Sequence, residues 1–200
     1  ANNYIKKPIE IADLKAHIRR YYNIIKEKKI NTNIPEFVVE RNMSFEFCTD
    51  LNIVPAISKF LVKKIPNNVS YRDKVGIELG LSELIQNSME HGNMGISFEM
   101  KSEALKNNNL QDLYNTKMSD INISQKKVRI AFKYNSGNSE WIIEDEGNGF
   151  DWNKYTSVTN DVFSENLSGR GIFISRLQFD DMNYFDNGRK VVVSKINKND

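Results

Sequence analysis

In "SELIQNSMEHGN" (82–93) a carboxylate, Glu83, stands four residues before an amide, Asn87. On a helix, residues i and i+4 point the same way. A carboxylate there can take a proton from a hydroxyl or a water. An amide oxygen can ligate Mg²⁺, a hard cation that prefers oxygen and keeps several waters. Together they make half of a phosphoryl-transfer site. A second stretch, "WIIEDEGNGFDW" (141–152), runs apolar residues into three acids and two glycines. A buried carboxylate needs a donor, and for Asp145 the exocyclic amino group of a purine would be one. Gly147 and Gly149 would let backbone lie flat on such a base. A third, "NLSGRGIFISRL" (166–177), places Gly169-Arg170-Gly171 before an apolar helical run. Glycines there allow backbone N–H groups and a helix N-terminus to face phosphates. Taken singly, a polar helical pair is usually a solvated face, and a Gly-x-Gly usually marks a tight turn.

These residues need elements to hold them. "SYRDKVGIELGLSELIQNSMEHG" (70–92) reads as the best helix, with Ser70 as N-cap, Asp73 three residues later and Gly92 as its stop. Ile77, Leu81, Leu84, Ile85 and Ser88 form its apolar face. Gly76, Gly80, Glu83, Asn87 and His91 form a second face, with His91 read as a helix-end hydrogen-bonder. Each internal glycine costs a helix about 1 kcal/mol relative to alanine. Two of them on the Glu83 face predict close approach by another group. "KKVRIAFKYNSGNSEWIIED" predicts a hairpin, with strands near 127–134 and 140–145 and a turn at 135–138. Met43, Phe45 and Phe47 alternate as in a half-buried strand. "LNIVPAISKFLVKKI" (51–65) reads as a helix with Pro55 in its first turn, where a missing N–H matters least.

Composition restricts the function classes. With 28 Lys and Arg against 26 Asp and Glu, the formal charge is +2 over 200 residues. No general attraction to nucleic acid or a lipid surface follows. No apolar run approaches the roughly 18 residues of a membrane span, and no secretory signal is visible. The single Cys48 has no intrachain disulfide partner and reads as a buried small apolar residue. A reducing cytoplasm is the expected location.

Order and spacing together carry more. Glu-x3-Asn on a helix, a strand ending Asp-x-Gly-x-Gly, Gly-x-Gly opening a helix and two closing strands resemble the N, G1 and G2 boxes of the GHKL ATPases. "ELIQNSMEHGN", "DEGNGFD", "SGRGIFISR" and "DDMNYFDNGRKVVVSK" look like the anti-sigma-factor serine kinase branch. The resemblance spans about 38–197. It implies an α+β fold: a two-layer α/β sandwich, the Bergerat ATP-binding fold, with a mixed sheet and helices on one face. It also implies ATP and Mg²⁺ as cofactors. Glu83 resembles the general base, Asn87 the Mg²⁺ ligand and Asp145 the acceptor for the adenine amino group. Gly147 and Gly149 resemble the adenine floor, and Gly169, Arg170 and Gly171 the phosphate loop. Residues about 153–168 would form the lid. Val192 stands where many relatives have a Thr that touches the adenine water network. Residues 96–126 are an insertion with one or two short amphipathic helices expected, packed over the sheet edge or the nucleotide.

The start, "ANNYIKKPIEIADLKAHIRRYYNIIKEKK", resembles the last strand and helix of response-regulator receiver domains, with Tyr4 at the switch aromatic and Lys7-Pro8 at its Lys-Pro. The phospho-acceptor pocket of such a domain is not in the chain, so Lys7 is not a working site. The expected organisation is a receiver remnant (1–30), a linker (31–37) and the ATPase-like domain (38–200). The apolar stripe of Leu14, Ile18, Tyr21 or Tyr22, and Ile25 must pack on something, and a homodimer is expected. The implied function is a serine/threonine protein kinase module that phosphorylates a STAS-type anti-anti-sigma partner competing with a sigma factor. The alternative is a nucleotide-dependent module that sequesters its partner with little or no kinase activity.

Overall fold

The computed structural model describes residues 38–65, 69–135, 137–152 and 170–196, plus Lys15, Ile18, Arg19 and Tyr22 and the backbone alone of Arg170. The chain divides into two compact units, Ala1–Val38 and Val39–Asp200. In the first, the four described residues are helical, and Ile18 and Tyr22 are exposed. Tyr4, Lys7, Pro8, the rest of the stripe and the linker lie outside the described residues.

The second unit is α+β. Strands β1 (Glu40–Cys48), β2 (Lys127–Asn135), β3 (Asn138–Asp145), β4 (Asp181–Phe185) and β5 (Lys190–Ile196) form one sheet in the order β1-β2-β3-β5-β4. The expected mixed sheet is not what forms: every hydrogen-bonded pair is antiparallel. The reason is topological. β3 and β4, joined through helix α6 (Arg170–Gln178), run the same way, but β5 inserts between them and opposes both.

Strand alternation sorts the sheet into a packed face and an open one. Val128, Ile130 and Phe132 of β2, Trp141 and Ile143 of β3, and Val191 and Val193 of β5 are buried together. Met43, Phe45 and Phe47 join that face from β1. Ser44, Glu46, Arg129 and Lys133 point to the exposed side. Val192 pairs with Ile142 on that open face, so Val191 is the final-strand residue that reaches the core near Asp145. A shift of one residue flips the face. Cys48 is half-buried rather than buried, with Lys127 Nζ 3.3 Å from its sulfur at the end of β1.

The core face is covered by α1 (Val54–Val62), with Pro55 in its first turn, and by α2 (Tyr71–Asn87). Ser70 caps α2 by accepting from the Asp73 N–H at 3.1 Å and donating to Asp73 Oδ2 at 2.7 Å. Ile77, Leu81, Leu84, Ile85 and Ser88 are all buried, as their spacing predicts. The insertion holds three helices rather than one or two: α3 (Phe98–Lys106), α4 (Leu110–Met118) and the single turn α5 (Ile121–Ser124).

The group that approaches the glycine face of α2 is α6. A Cβ on Gly80 would sit 2.7 Å from the Phe179 ring, and one on Gly76 2.3 Å from Gln178 Oε1. Helix propensity alone favours alanine at 80 by about 1 kcal/mol. Packing should reverse that sign, because an overfilled contact destabilises by about 1–3 kcal/mol. Gly80→Ala is therefore expected to lower the urea midpoint, and a raised midpoint would show that the α2–α6 contact yields.

Candidate functional site

Glu83 and Asn87 lie in the last turns of α2, both half-buried. Neither side chain has a hydrogen-bond partner among the described residues. The first turn of α6 rests against them. A Cβ on Gly171 would fall 2.5 Å from Glu83 Oε2 and 3.5 Å from Asn87 Nδ2. Burial pushes the Glu83 carboxyl above the usual carboxylate range; the Lys101 cation opposes that shift and the Glu90 charge adds to it.

Gly92 does not stop the helix. The chain continues beyond Asn87 as a π-helical turn, Ser88–Asn93, closed by Met94 N–H donating to Met89 O at 2.8 Å. Gly92 is glycine for another reason: its Cβ would lie 2.4 Å from Asp145 Cγ. Gly147 in turn faces the Gly92 carbonyl, 2.1 Å from where its own Cβ would be. Gly149, at φ +79°, faces the Asn187 carbonyl at 2.2 Å on the same measure. The room left by Gly147 and Gly149 is thus filled by the protein's own backbone, and that left by Gly92 by the Asp145 carboxylate.

Asp145 ends β3 and is only 6% exposed. Its Oδ1 accepts from the Gly147 N–H at 2.8 Å. Desolvation pushes its pKa up to about 6, against the opposing Gly147 N–H and the more distant Arg189 and Lys126 charges. Among the described residues no cation pairs with it directly.

Two spaces flank the meeting of Gly92 and Asp145. One is a cavity of about 10 Å³ whose lining includes Asn87, Asp145, Tyr184, Arg189 and Val191. The other is an open cleft of about 470 Å³ whose lining includes His91, Gly92, Lys126 and Asn148. Phe150 lines both. His91 Nδ1 lies 2.5 Å from the Ile96 carbonyl, in keeping with a helix-end role, and its ring packs on Phe98. Burial holds the His91 imidazole below its ordinary pKa. Gly169, the Arg170 side chain and the lid segment 153–168 lie outside the described residues.

Several residues at this site have no counterpart in the motif reading. Glu90 is fully buried and receives Gln86 Nε2 at 2.6 Å, Lys101 Nζ and the Tyr114 hydroxyl. Asn93 is 1% exposed and ties three segments together. Its Nδ2 donates to Thr49 Oγ1 at 2.9 Å and Lys127 O at 3.2 Å, and its Oδ1 accepts from the Glu146 N–H at 2.9 Å. Tyr184 brings an aromatic wall to the small cavity. A signal for Glu90 and Asn93 was present in "MEHGN", where two polar residues continue the helical run into the apolar side.

The raised pKa of Asp145 has a stability consequence with a definite sign. Between its ordinary value of 3.8 and about 6 the folded protein holds a proton that the unfolded chain has released. Stability from this group therefore rises as pH falls through 6 and is lost above it. Asp145→Asn, which keeps an acceptor for Gly147, should stabilise by about 2 kcal/mol at pH 7.5. The gain should vanish near pH 4. Denaturation series at both pH values check it, and a destabilised variant at pH 7.5 would contradict it.

No protein-family model matches this chain, and no curated protein matches its sequence.

Proposed function

We infer that residues 39–200 form an ATP-binding serine/threonine protein kinase module of GHKL type, acting on a small STAS-type anti-anti-sigma protein. The observation that supports this reading is a convergence. Three motifs separated by up to about 90 residues meet at the last turns of α2: Gly171 lies against Glu83 and Asn87, and Asn87 shares a cavity with Asp145.

The residues present suit such a cofactor. Glu83 and Asn87 are half-buried polar groups with no partner among the described residues. No cluster of three or more acids, histidines or cysteines that could cage a metal occurs among the described residues. Mg²⁺ needs only one or two protein oxygens when phosphates and waters complete its shell. Bound MgATP would supply the transferable phosphoryl group and the charge that stabilises its transfer. Asn87 would hold the metal through its amide oxygen. Glu83, with its raised pKa, would orient the attacking serine hydroxyl and accept its proton. Asp145 would accept from the adenine amino group. The α6 N-terminus, with Gly169, Arg170 and Gly171, would face the phosphates.

The alternative is the nucleotide-dependent partner-sequestering module, and both readings require the cavity beside Asp145, about 10 Å³, to widen before it admits a base. Incubation with labelled ATP and STAS proteins from the same genome separates the readings. The kinase reading expects label on a partner serine. Glu83→Gln should retain ATP yet lose transfer by about 10²-fold or more. Asp145→Ala should weaken ATP by about 2 kcal/mol in calorimetry. ATP binding without transfer in the wild type would favour the sequestering module. A folded protein that binds no ATP would end both.

A further inference from the structure

Two buried polar atoms lack a hydrogen-bond partner among the described residues, Trp141 Nε1 and the Tyr184 hydroxyl. Trp141 lies in the core between Phe132 and Phe179, with ring centroids at 5.4 and 5.8 Å. Tyr184 is different, because it lines the cavity that also holds Asp145 and Asn87. Burial raises the Tyr184 hydroxyl pKa, so it stays protonated and able to donate at neutral pH. The ring is held on two sides. Phe150 packs edge-on at 5.5 Å and Trp152 stacks at 5.6 Å. Val191, its register partner on β5, fixes the backbone. A buried hydroxyl without a partner forfeits about 1–3 kcal/mol. A Phe at 184 would fill the same space without that loss, so the hydroxyl has no structural role in the described contacts.

We propose that Tyr184 is a base-specificity residue of the nucleotide site, its hydroxyl donating to the adenine ring nitrogen N1 while Asp145 accepts from the neighbouring 6-amino group. This rests on the ATP-site reading and deepens it. Adenine presents a donor and an acceptor side by side on its pairing edge, whereas guanine presents an acceptor at position 6 and a donor at N1. An ionised carboxylate accepts only, and a phenol can donate. An acceptor facing position 6 and a donor facing N1 match adenine; guanine in the same pose would set acceptor against acceptor and donor against donor. The cavity, about 10 Å³, must widen for that edge to enter.

Four titrations test this, with wild type and Tyr184→Phe each binding ATP and 1-deaza-ATP, in which N1 is replaced by C–H. Tyr184→Phe is expected to weaken ATP about tenfold, the usual effect of losing one neutral hydrogen bond. Wild type should show a similar loss with 1-deaza-ATP, and Tyr184→Phe should add nothing further to it. Thermal melting should show Tyr184→Phe as stable as wild type or more so, because a partnerless buried hydroxyl has been removed. Wild-type ATP affinity in Tyr184→Phe overturns the assignment. So does an equal loss for both nucleotides, since the effect then does not pass through N1. Asp145→Ala locates the failure: unchanged ATP affinity there sinks the site reading itself, and lost affinity there with a normal Tyr184→Phe sinks only the role of Tyr184.

Discussion

The rest of the site depends on the contact between the π-helical turn Ser88–Asn93 and the end of β3. Gly92 and Gly147 meet there so closely that neither tolerates a side chain, and the Asp145 carboxylate is held against the Gly92 Cα. The contact sets where the helix bearing Glu83 and Asn87 ends relative to the strand bearing Asp145. A π turn makes this possible by widening the helix with an i→i+5 bond, here Met94 to Met89. An ordinary α-turn would rotate the following residues to other bearings. Ser88–Asn93 could not then present Gly92 to the strand, Glu90 to the insertion and Asn93 to the sheet at once.

Those last two residues hold the turn in place. Asn93 joins the end of β1, the start of β2 and the residue after β3 through its one amide. Glu90 is a carboxylate removed from water, which is tolerable only because three donors meet it. Two of the three, Lys101 and Tyr114, come from the inserted helices α3 and α4. Breaking a buried pair by removing one partner typically costs about 3–5 kcal/mol, so the insertion is a structural part of the site wall. It also brings the Lys101 charge near Glu83, where it moderates the carboxyl's rise.

Much of this was legible beforehand, for physical reasons that differ by residue. The apolar face of α2 followed from its period, and the Ser70 cap from local chemistry. The hairpin followed from alternation interrupted by Gly137, which takes φ +86°. Gly76 and Gly80 signalled close approach correctly, but nothing local could say that Gln178 and Phe179 approach. Gly92 looked like a helix stop because glycine is usual there, while its tertiary role depends on a strand more than 50 residues away. The sheet's parallel or antiparallel character depends on where β5 inserts, which strand patterns do not encode. Val191 rather than Val192 lines the cavity beside Asp145, because a shift of one residue in a strand exchanges faces. The Glu90 and Asn93 networks were not legible, since their partners lie in segments whose placement no local pattern sets.

The polar groups of this unit fall into two populations. Those that build the fold are saturated apart from Trp141 Nε1: Glu90, Asn93 and Thr49 are almost wholly buried and hydrogen-bonded, and Ser175 donates to the α2 backbone at Gly80. Those around the end of α2 are left short. Glu83 and Asn87 lack partners among the described residues, Asp145 carries a charge in a desolvated pocket, and the Tyr184 hydroxyl bonds to nothing described. A fold that satisfies buried Asn93 completely has the means to satisfy its neighbours, and an Asn at 145 or a Phe at 184 would remove the deficit. The concentration of unmet donors and acceptors at one place, among motifs from three distant parts of the chain, is what a site reserved for a ligand requires. The stability forgone there would be recovered if a bound group supplied the missing partners.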